Sequence, residues 1–73
     1  MNKNLLKYHI AKNDMSLEQF SKVLGINVST LSRKLNGESD FTRNEIVLSK
    51  IALKLSADDI DTIFLFLFLA VQL

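Results

Sequence analysis

The sequence has no cysteine, no proline and no tryptophan, and only two of its 73 residues are glycine. Without cysteine, neither a disulfide framework nor a thiolate metal site can form, which suits a reducing cytoplasm. Because proline is absent and both glycines stand at the ends of helix-like segments, the composition favours an all-α fold. A chain of this length is near the size at which a core alone stabilises a fold, so we predict one domain, residues 1–73, with one small core.

Residues that could build an active site or a metal site are also scarce. His9 is the only histidine, so it lacks a partner with which to ligate a metal, and a solvated or hydrogen-bonded role is expected. Asp58, Asp59 and Asp61 fall at the start of a predicted helix, where carboxylates complement the helix dipole. The sequence has no nucleophile–base pair and no phosphate-binding glycine loop. We therefore predict neither enzymatic activity nor a bound cofactor or metal.

Long apolar runs are few as well. Lys3, Lys7 and Lys12 interrupt the apolar residues near the N-terminus, so no signal peptide is expected. The longest run, residues 63–71, is shorter than the roughly 20 residues needed to span a bilayer. The sequence thus predicts a cytoplasmic protein that does not enter a membrane.

The net charge is only +1, but the charges are unevenly distributed. Residues 1–37 contain six basic and two acidic residues, a net charge of +4, whereas residues 38–73 contain three and six, a net charge of −3. A basic half is consistent with phosphate binding, because cations displace the counterions condensed on nucleic acid. A solvated surface of mixed charge explains the same distribution, so charge alone leaves both interpretations open.

The clearest pattern lies in residues 16–37, which have the spacing of two short helices. Ser16 and Gln19 form a predicted capping box at the start of the first helix. Phe20, Val23 and Leu24 follow at the i, i+3, i+4 spacing of one apolar helix face. The first helix is therefore expected to pack this face against the core.

A tight turn separates this helix from the next. Gly25 suits the left-handed conformation that ends many helices, and Asn27 is a good N-cap for a second helix. Leu31 and Leu35 form its buried i, i+4 pair, and residues 36–37, Asn-Gly, end it. Two helices of about two turns around such a turn make a helix-turn-helix, which leaves one polar helix face able to enter a DNA major groove.

This segment resembles the helix-turn-helix of the Cro/repressor-type regulators, which are common in temperate phages and bacteria. The resemblance extends roughly over residues 3–60, and it implies a compact five-helix domain in the cytoplasm of a bacterial host. The family usually has a DNA-backbone-contacting glutamine where this chain has Leu17. The residues that carry the resemblance are Phe20, Ser21, residues 23–26 (VLGI), residues 30–37 (TLSRKLNG), residues 40–42 (DFT), Glu45 and Ile46.

The resemblance places the base-reading positions on the second helix, residues 28–36. The arginine there suits guanine O6 and N7, the serines suit bases or phosphates, and the valine suits a thymine methyl group. An exposed polar surface without a partner is the alternative. The predicted base-reading residues are Val28, Ser29, Ser32 and Arg33, and the other predicted contacts, chiefly to phosphate, are Gln19, Lys34, Asn36 and Arg43.

Three further helices are expected to support this pair. The first is predicted over residues 3–12, the fourth opens at a capping box of Thr42 and Glu45, and the fifth opens at one of Ser56 and Asp59. Phe41 is expected to anchor the loop before the fourth helix. The first helix should bury Leu5, Leu6, Tyr8 and Ile10. The fourth should expose Ser49, Lys50 and Lys54 and bury Val47, Leu48, Ile51, Ala52 and Leu55, with Ile46 and Leu53 broadening the buried face.

Residues 63–73 form an apolar tail. The run is apolar on all sides as a helix and has an aliphatic and an aromatic face as a strand, so periodicity cannot choose between them, although we favour a helix from 57 to about 70. Ile60, Ile63, Phe64 and Leu67 are expected to complete the core. Phe66, Phe68 and Leu69 are then left for a homodimer or another partner, because large apolar patches seldom remain in water.

Two functions fit these patterns. The first is a sequence-specific transcriptional regulator that binds a double-stranded DNA operator of a phage-type genetic switch. The second is an antirepressor, which covers a partner repressor protein with the same helix-turn-helix face. Leu17 and Val28 motivate the second function, because apolar residues suit the centre of a protein interface better than a DNA backbone.

Overall fold

A computed structural model describes residues 1–64, which form five α-helices and contain no strand. The all-helical prediction is therefore confirmed for this part of the chain. Within it, no helix has the length and apolar character needed to cross a membrane. The helices are α1 (Lys3–Lys12), α2 (Leu17–Leu24), α3 (Val28–Leu35), α4 (Arg43–Leu53) and α5 (Ala57–Ile63).

Local capping explains why the helices begin where the sequence predicts. Ser16, Thr42 and Ser56 each take part in a complete capping box, with Gln19, Glu45 and Asp59 respectively as the third helical residue. An N-cap of this kind contributes about 0.5–2 kcal/mol because it satisfies a backbone N–H that would otherwise lack a partner. All three predicted capping boxes are confirmed.

The core collects residues from every helix and from the loops beside α4 and α5. α2 lies centrally and packs against α3 and α4, whereas α1 packs against α5. The backbone N–H of Asn2 donates to the carbonyl oxygen of Ile63 at 2.8 Å, which ties the start of the chain to the end of α5. The buried apolar residues are Leu6, Ile10, Phe20, Leu24, Leu31, Leu35, Phe41, Leu53, Leu55, Ile63 and Phe64.

The C-terminal part of the fold differs from the prediction in one respect. α5 ends at Ile63 with Phe64 as its C-cap, so it is shorter than the helix expected from 57 to about 70. Ile63 and Phe64 are buried and Ile60 is partly buried, which confirms their predicted place in the core. The predictions for Leu67 and for the partner-binding residues Phe66, Phe68 and Leu69 lie outside the described residues.

The buried face of α4 matches the prediction only in part. Ser49 is fully buried, whereas Val47 and Ile51 are 48% and 69% exposed. Ser49 can lie inside because its hydroxyl donates to the carbonyl oxygen of Glu45 at 2.8 Å, so its polar group is satisfied. Within α4 the buried positions are the i, i+4 series of Glu45, Ser49 and Leu53. The predicted burial is confirmed for Leu53 and Leu55, and Leu48 is partly buried.

α1 also buries a polar residue in place of a predicted apolar one. Tyr8 is 57% exposed, while its neighbour His9 is buried and lies with Nε2 3.8 Å from Oδ1 of Asp59 on α5. The Tyr8 ring meets the His9 ring edge-on at 5.3 Å. Tyrosine can remain at the surface because its hydroxyl is solvated there, so the expectation that it faces inward was wrong.

The corrected face of α4 predicts opposite outcomes for two matched truncations. Leu53→Ala should lower the free energy of unfolding by about 2–5 kcal/mol, because it leaves a cavity in the core. Ile51→Ala should change it by less than about 0.5 kcal/mol, because this side chain is largely in solvent. Urea unfolding monitored by circular dichroism measures both values, and a larger loss for Ile51→Ala than for Leu53→Ala would contradict the described face.

Candidate nucleic-acid interface

The candidate interface is built on the turn between α2 and α3, residues 25–27. Gly25 has a φ of 73°, the left-handed conformation in which glycine carries no Cβ penalty. The next N–H, of Ile26, donates to the carbonyl oxygen of Ser21 at 3.0 Å, so the end of α2 is closed by backbone hydrogen bonds. Ile26 packs partly against the core and holds the turn in place.

A small residue allows α2 to pack closely. Ser21 is 2% exposed, and its hydroxyl donates to the carbonyl oxygen of Glu18 at 2.6 Å, so burial leaves no unsatisfied polar atom. On the same side of α2, Phe20 and Leu24 are buried in the core. Val23 was expected to join this face but is 39% exposed. The buried face of α2 is therefore narrower than the i, i+3, i+4 pattern predicts.

α3 presents the predicted residues on one surface. Leu31 and Leu35 are buried and anchor the helix, as expected. At about 100° per residue, the exposed residues of α3 and its C-cap fall within an arc of roughly 140° on the opposite side. We call this arc the α3 outer face, and it comprises Val28, Ser29, Ser32, Arg33 and Asn36.

The N-cap of α3 restricts the hydrogen bonds that Ser29 can make with a partner. The Asn27 side-chain oxygen accepts hydrogen bonds from the Ser29 hydroxyl at 2.7 Å and from the Thr30 hydroxyl at 2.9 Å. The Ser29 proton is thus held in the cap, so the Ser29 hydroxyl is left to act as an acceptor toward a partner. Ser32, one turn further along, is exposed and can donate or accept.

Lys34 does not belong to this surface, contrary to the sequence prediction of a phosphate contact. Its side chain is buried, with Nζ 2.8 Å from Oε1 of Glu45 and 2.9 Å from the carbonyl oxygen of Asp40. The same Nζ lies 5.9 Å from the centroid of the Phe41 ring. Lys34 lies three residues after Leu31 and next to Leu35, and this spacing turns it toward the buried side of α3. An amphipathic reading of α3 could have shown this.

Glu45 binds Lys34 and caps the start of α4 through the same side-chain oxygen. Its Oε1 accepts from Lys34 Nζ at 2.8 Å and from the backbone N–H of Thr42 at 2.9 Å. Burial raises the pKa of Glu45, but the hydrogen bonds from Lys34 and Thr42 and the positive charge of Lys34 together outweigh burial and hold the pKa below its ordinary value of 4.5. The pair joins the end of α3 to the start of α4.

The remaining predicted contact residues lie on α2 and α4. Leu17 is half-buried and packs against the core, so this apolar residue has a structural role at the position where the family has glutamine. Gln19 is exposed, and its side-chain oxygen is occupied by the Ser16 backbone N–H at 2.8 Å, which leaves its amide nitrogen as an outward donor. Arg43 is exposed at the first position of α4.

The acidic residues of α5 do not form a metal site. Asp59 caps the helix through Ser56, and a hydrogen bond from the Ser56 backbone N–H is the main cause that lowers the pKa of Asp59. Among residues 1–64, no group of three or more histidine or acidic side chains could hold a metal ion. Capping explains Asp59, and Asp58 and Asp59 both lie in the first turn of α5, where carboxylates complement the helix dipole.

Comparison of the chain with protein-family models, with curated proteins and with solved structures found no match. The resemblance to the Cro/repressor-type regulators therefore remains a prediction from the sequence.

The buried pair predicts how stability depends on pH. Because folding lowers the pKa of Glu45, the stabilisation is complete above about pH 4.5 and is lost as the pH falls through the lower folded value. The double variant Lys34→Met with Glu45→Gln keeps the cap on Thr42 and removes both charges. We expect its stability to fall less steeply between pH 7 and pH 3 than that of the unaltered protein.

Urea unfolding over this pH range measures the difference. Glu38→Gln is the control, because it neutralises an exposed carboxylate just after α3, and it should retain the original slope. An unchanged slope in the double variant would show that the pair does not carry the pH dependence.

Proposed function

We propose that this protein is a sequence-specific DNA-binding transcriptional regulator of a phage-type genetic switch, with α3 as its recognition helix. The observation that supports this proposal is the α3 outer face, where the predicted base-reading residues are exposed together while Leu31 and Leu35 anchor the helix. α3 is an α-helix of eight residues, and an α-helix with its side chains is about 10–12 Å in diameter, which a major groove about 12 Å wide admits.

Each residue of this face has a chemical role in the proposal. Arg33 donates two hydrogen bonds to guanine O6 and N7, and Val28 contacts a thymine methyl group. Ser29, whose proton is held by Asn27, accepts from an exocyclic amine such as cytosine N4. Ser32 either donates or accepts, so it adds less discrimination than Arg33.

Phosphate contacts fix the position of the protein without reading sequence. Asn36 at the end of α3, the Gln19 amide and Arg43 at the start of α4 supply them in this proposal. Because Lys34 is held by Glu45, the cations available at the interface are fewer than the sequence suggests. The salt dependence of binding should accordingly be shallow for a DNA-binding domain.

Two arginine variants test the division between base and phosphate contacts. Arg33→Ala should weaken specific binding by about 1–3 kcal/mol and relax selectivity at one base position. Arg43→Ala should weaken binding to all sequences alike and reduce the slope of log affinity against log salt by about 1. Selection from random duplexes, followed by salt titrations on the selected site, measures both effects.

Two results would count against the proposal. If the unaltered protein selects no DNA sequence and binds all duplexes equally weakly, α3 does not recognise specific bases. If Arg33→Ala selects the same site with the same stringency, a different residue carries the specificity.

A second candidate, the antirepressor, is favoured by one observation. The first residue of α3, Val28, is 45% exposed, and Lys34 is withdrawn from the surface, so α3 offers an apolar side chain and a single exposed cation. The centres of protein interfaces are depleted of charge and contain apolar anchors. The same face would then cover a partner repressor instead of DNA.

A matched pair of valines tests this second candidate. Val28→Asp should abolish capture of a repressor encoded beside this protein's own gene, because it places a charge at the centre of the interface. Val47→Asp is the control, since Val47 has a similar exposure of 48% but lies on α4. Circular dichroism should show that both variants fold. Equal capture by the two variants would exclude the α3 outer face as the contact.

A further inference from the structure

The end of α3 is closed by a glycine cap that places a reactive pair of residues at the surface. Asn36 is the C-cap of the helix, with a ψ of 0°, and Gly37 follows in the left-handed conformation with a φ of 81°. The N–H of Gly37 donates to the carbonyl oxygen of Lys34 at 3.2 Å, and the N–H of Glu38 donates to that of Arg33 at 2.9 Å. These two bonds make the Schellman motif that ends many helices.

The side chain of Asn36 is available for reaction with the residue that follows it. It is exposed on the α3 outer face, and within residues 1–64 its amide makes no hydrogen bond. Gly37 is also exposed, and a Cβ placed on it would meet no atom within 4 Å, so open space lies beside its backbone. The Asn36 amide can therefore turn toward the backbone nitrogen of Gly37 when the cap opens.

The other five asparagines of the sequence lack this combination. Three of them are held by hydrogen bonds of their side chains, namely Asn2, Asn13 and Asn27. The remaining two lie in the first turns of α1 and α4, namely Asn4 and Asn44. None of the five precedes a glycine, so the side chain of the following residue hinders the approach of its own backbone nitrogen.

We propose that Asn36 is a site of spontaneous deamidation, with the backbone nitrogen of Gly37 as the nucleophile. This nitrogen attacks Cγ of Asn36 and loses its proton, the Cγ–Nδ2 bond breaks, and the side-chain nitrogen leaves as ammonia with that proton. Water then opens the cyclic imide at either of its carbonyl carbons, which leaves an aspartate or an isoaspartate at position 36. Nothing is oxidised or reduced, and water is the only co-reactant.

Opening of the α3 cap controls the rate of this reaction. In the closed cap the Gly37 N–H is bonded to Lys34 and the ψ of Asn36 is held at 0°, so the imide ring cannot close. Exposed helix ends open locally at a lower free energy than the core. The reaction therefore proceeds in the folded protein, but more slowly than in a free peptide of the same sequence.

Deamidation changes both the charge and the geometry at the end of α3. The new carboxylate takes the net charge of the chain from +1 to 0. It stands at the C-terminus of a helix, where the dipole disfavours negative charge, and isoaspartate also adds a backbone carbon to the cap. The modified α3 outer face is thus more acidic and less firmly closed. This chemistry does not depend on DNA binding.

Peptide mapping of the full chain tests the proposal, because trypsin places each asparagine in a different peptide. The peptide of residues 35–43, LNGESDFTR, contains Asn36 alone. After incubation of the folded protein at neutral pH, its deamidated form should accumulate at least about tenfold faster than that of any other asparagine peptide, because only this cap combines local opening with a glycine. A rate at Asn36 no greater than at the other asparagines would overturn the proposal.

Two controls separate the site from the cap that regulates it. Asn36→Ser removes the reactive amide at an exposed position, so the acidic form that ion-exchange chromatography separates from aged protein should be absent from this variant. Circular dichroism checks that the variant folds, and persistence of the acidic form would assign the modification to another residue. The synthetic peptide of residues 35–43 should deamidate faster than the folded chain, and an equal rate would overturn the role of the cap.

Discussion

The Lys34–Glu45 ion pair is the interaction on which the arrangement of this domain depends. It joins α3 to α4, and the carboxylate also caps α4 while the ammonium group binds the loop carbonyl of Asp40. A buried pair adds little net stability compared with apolar residues, but breaking it leaves a buried charge at a cost of about 3–5 kcal/mol. Its contribution to this fold is therefore the link that it makes between the end of α3 and the start of α4.

The helices could be predicted from the sequence because their ends are set by local hydrogen bonds. Ser16 with Gln19 and Thr42 with Glu45 are three residues apart, and Gly25 needs no distant contact to adopt its left-handed conformation. The buried face of α4, in contrast, could not be fully predicted from the sequence. Val47 and Ile51 are more hydrophobic than Ser49, but Ser49 is buried because it lies on the same helix face as Glu45 and Leu53 and its hydroxyl is satisfied by the Glu45 carbonyl oxygen.

The candidate interface could likewise be predicted from the sequence only in part. The outward positions of Val28, Ser32 and Arg33 follow from the buried leucine pair, because helical periodicity fixes them once Leu31 and Leu35 are placed. The inward direction of Lys34 also follows from this spacing, whereas its partner Glu45, which lies on another helix, could not be identified from the pattern of α3. The hydrogen bond from the Ser29 hydroxyl to Asn27 could not be predicted, because it depends on the side-chain conformation of Asn27 and the sequence pattern does not give that conformation.

The chemistry of Arg33 is what ranks DNA above a protein partner for the α3 outer face. Within residues 1–64, the structure describes an ion pair at Lys34–Glu45 but none at Arg33, which is exposed, so the charge of Arg33 is solvated. Burying it against a protein would require a well-placed carboxylate on the partner, since a desolvated charge without one is costly. A major groove offers paired acceptors at every guanine, and its floor is flanked by phosphates that favour any cation. The apolar Val28 is compatible with either partner, because thymine methyl groups also lie in that groove. Arg33 therefore discriminates between the two proposals more strongly than Val28 does.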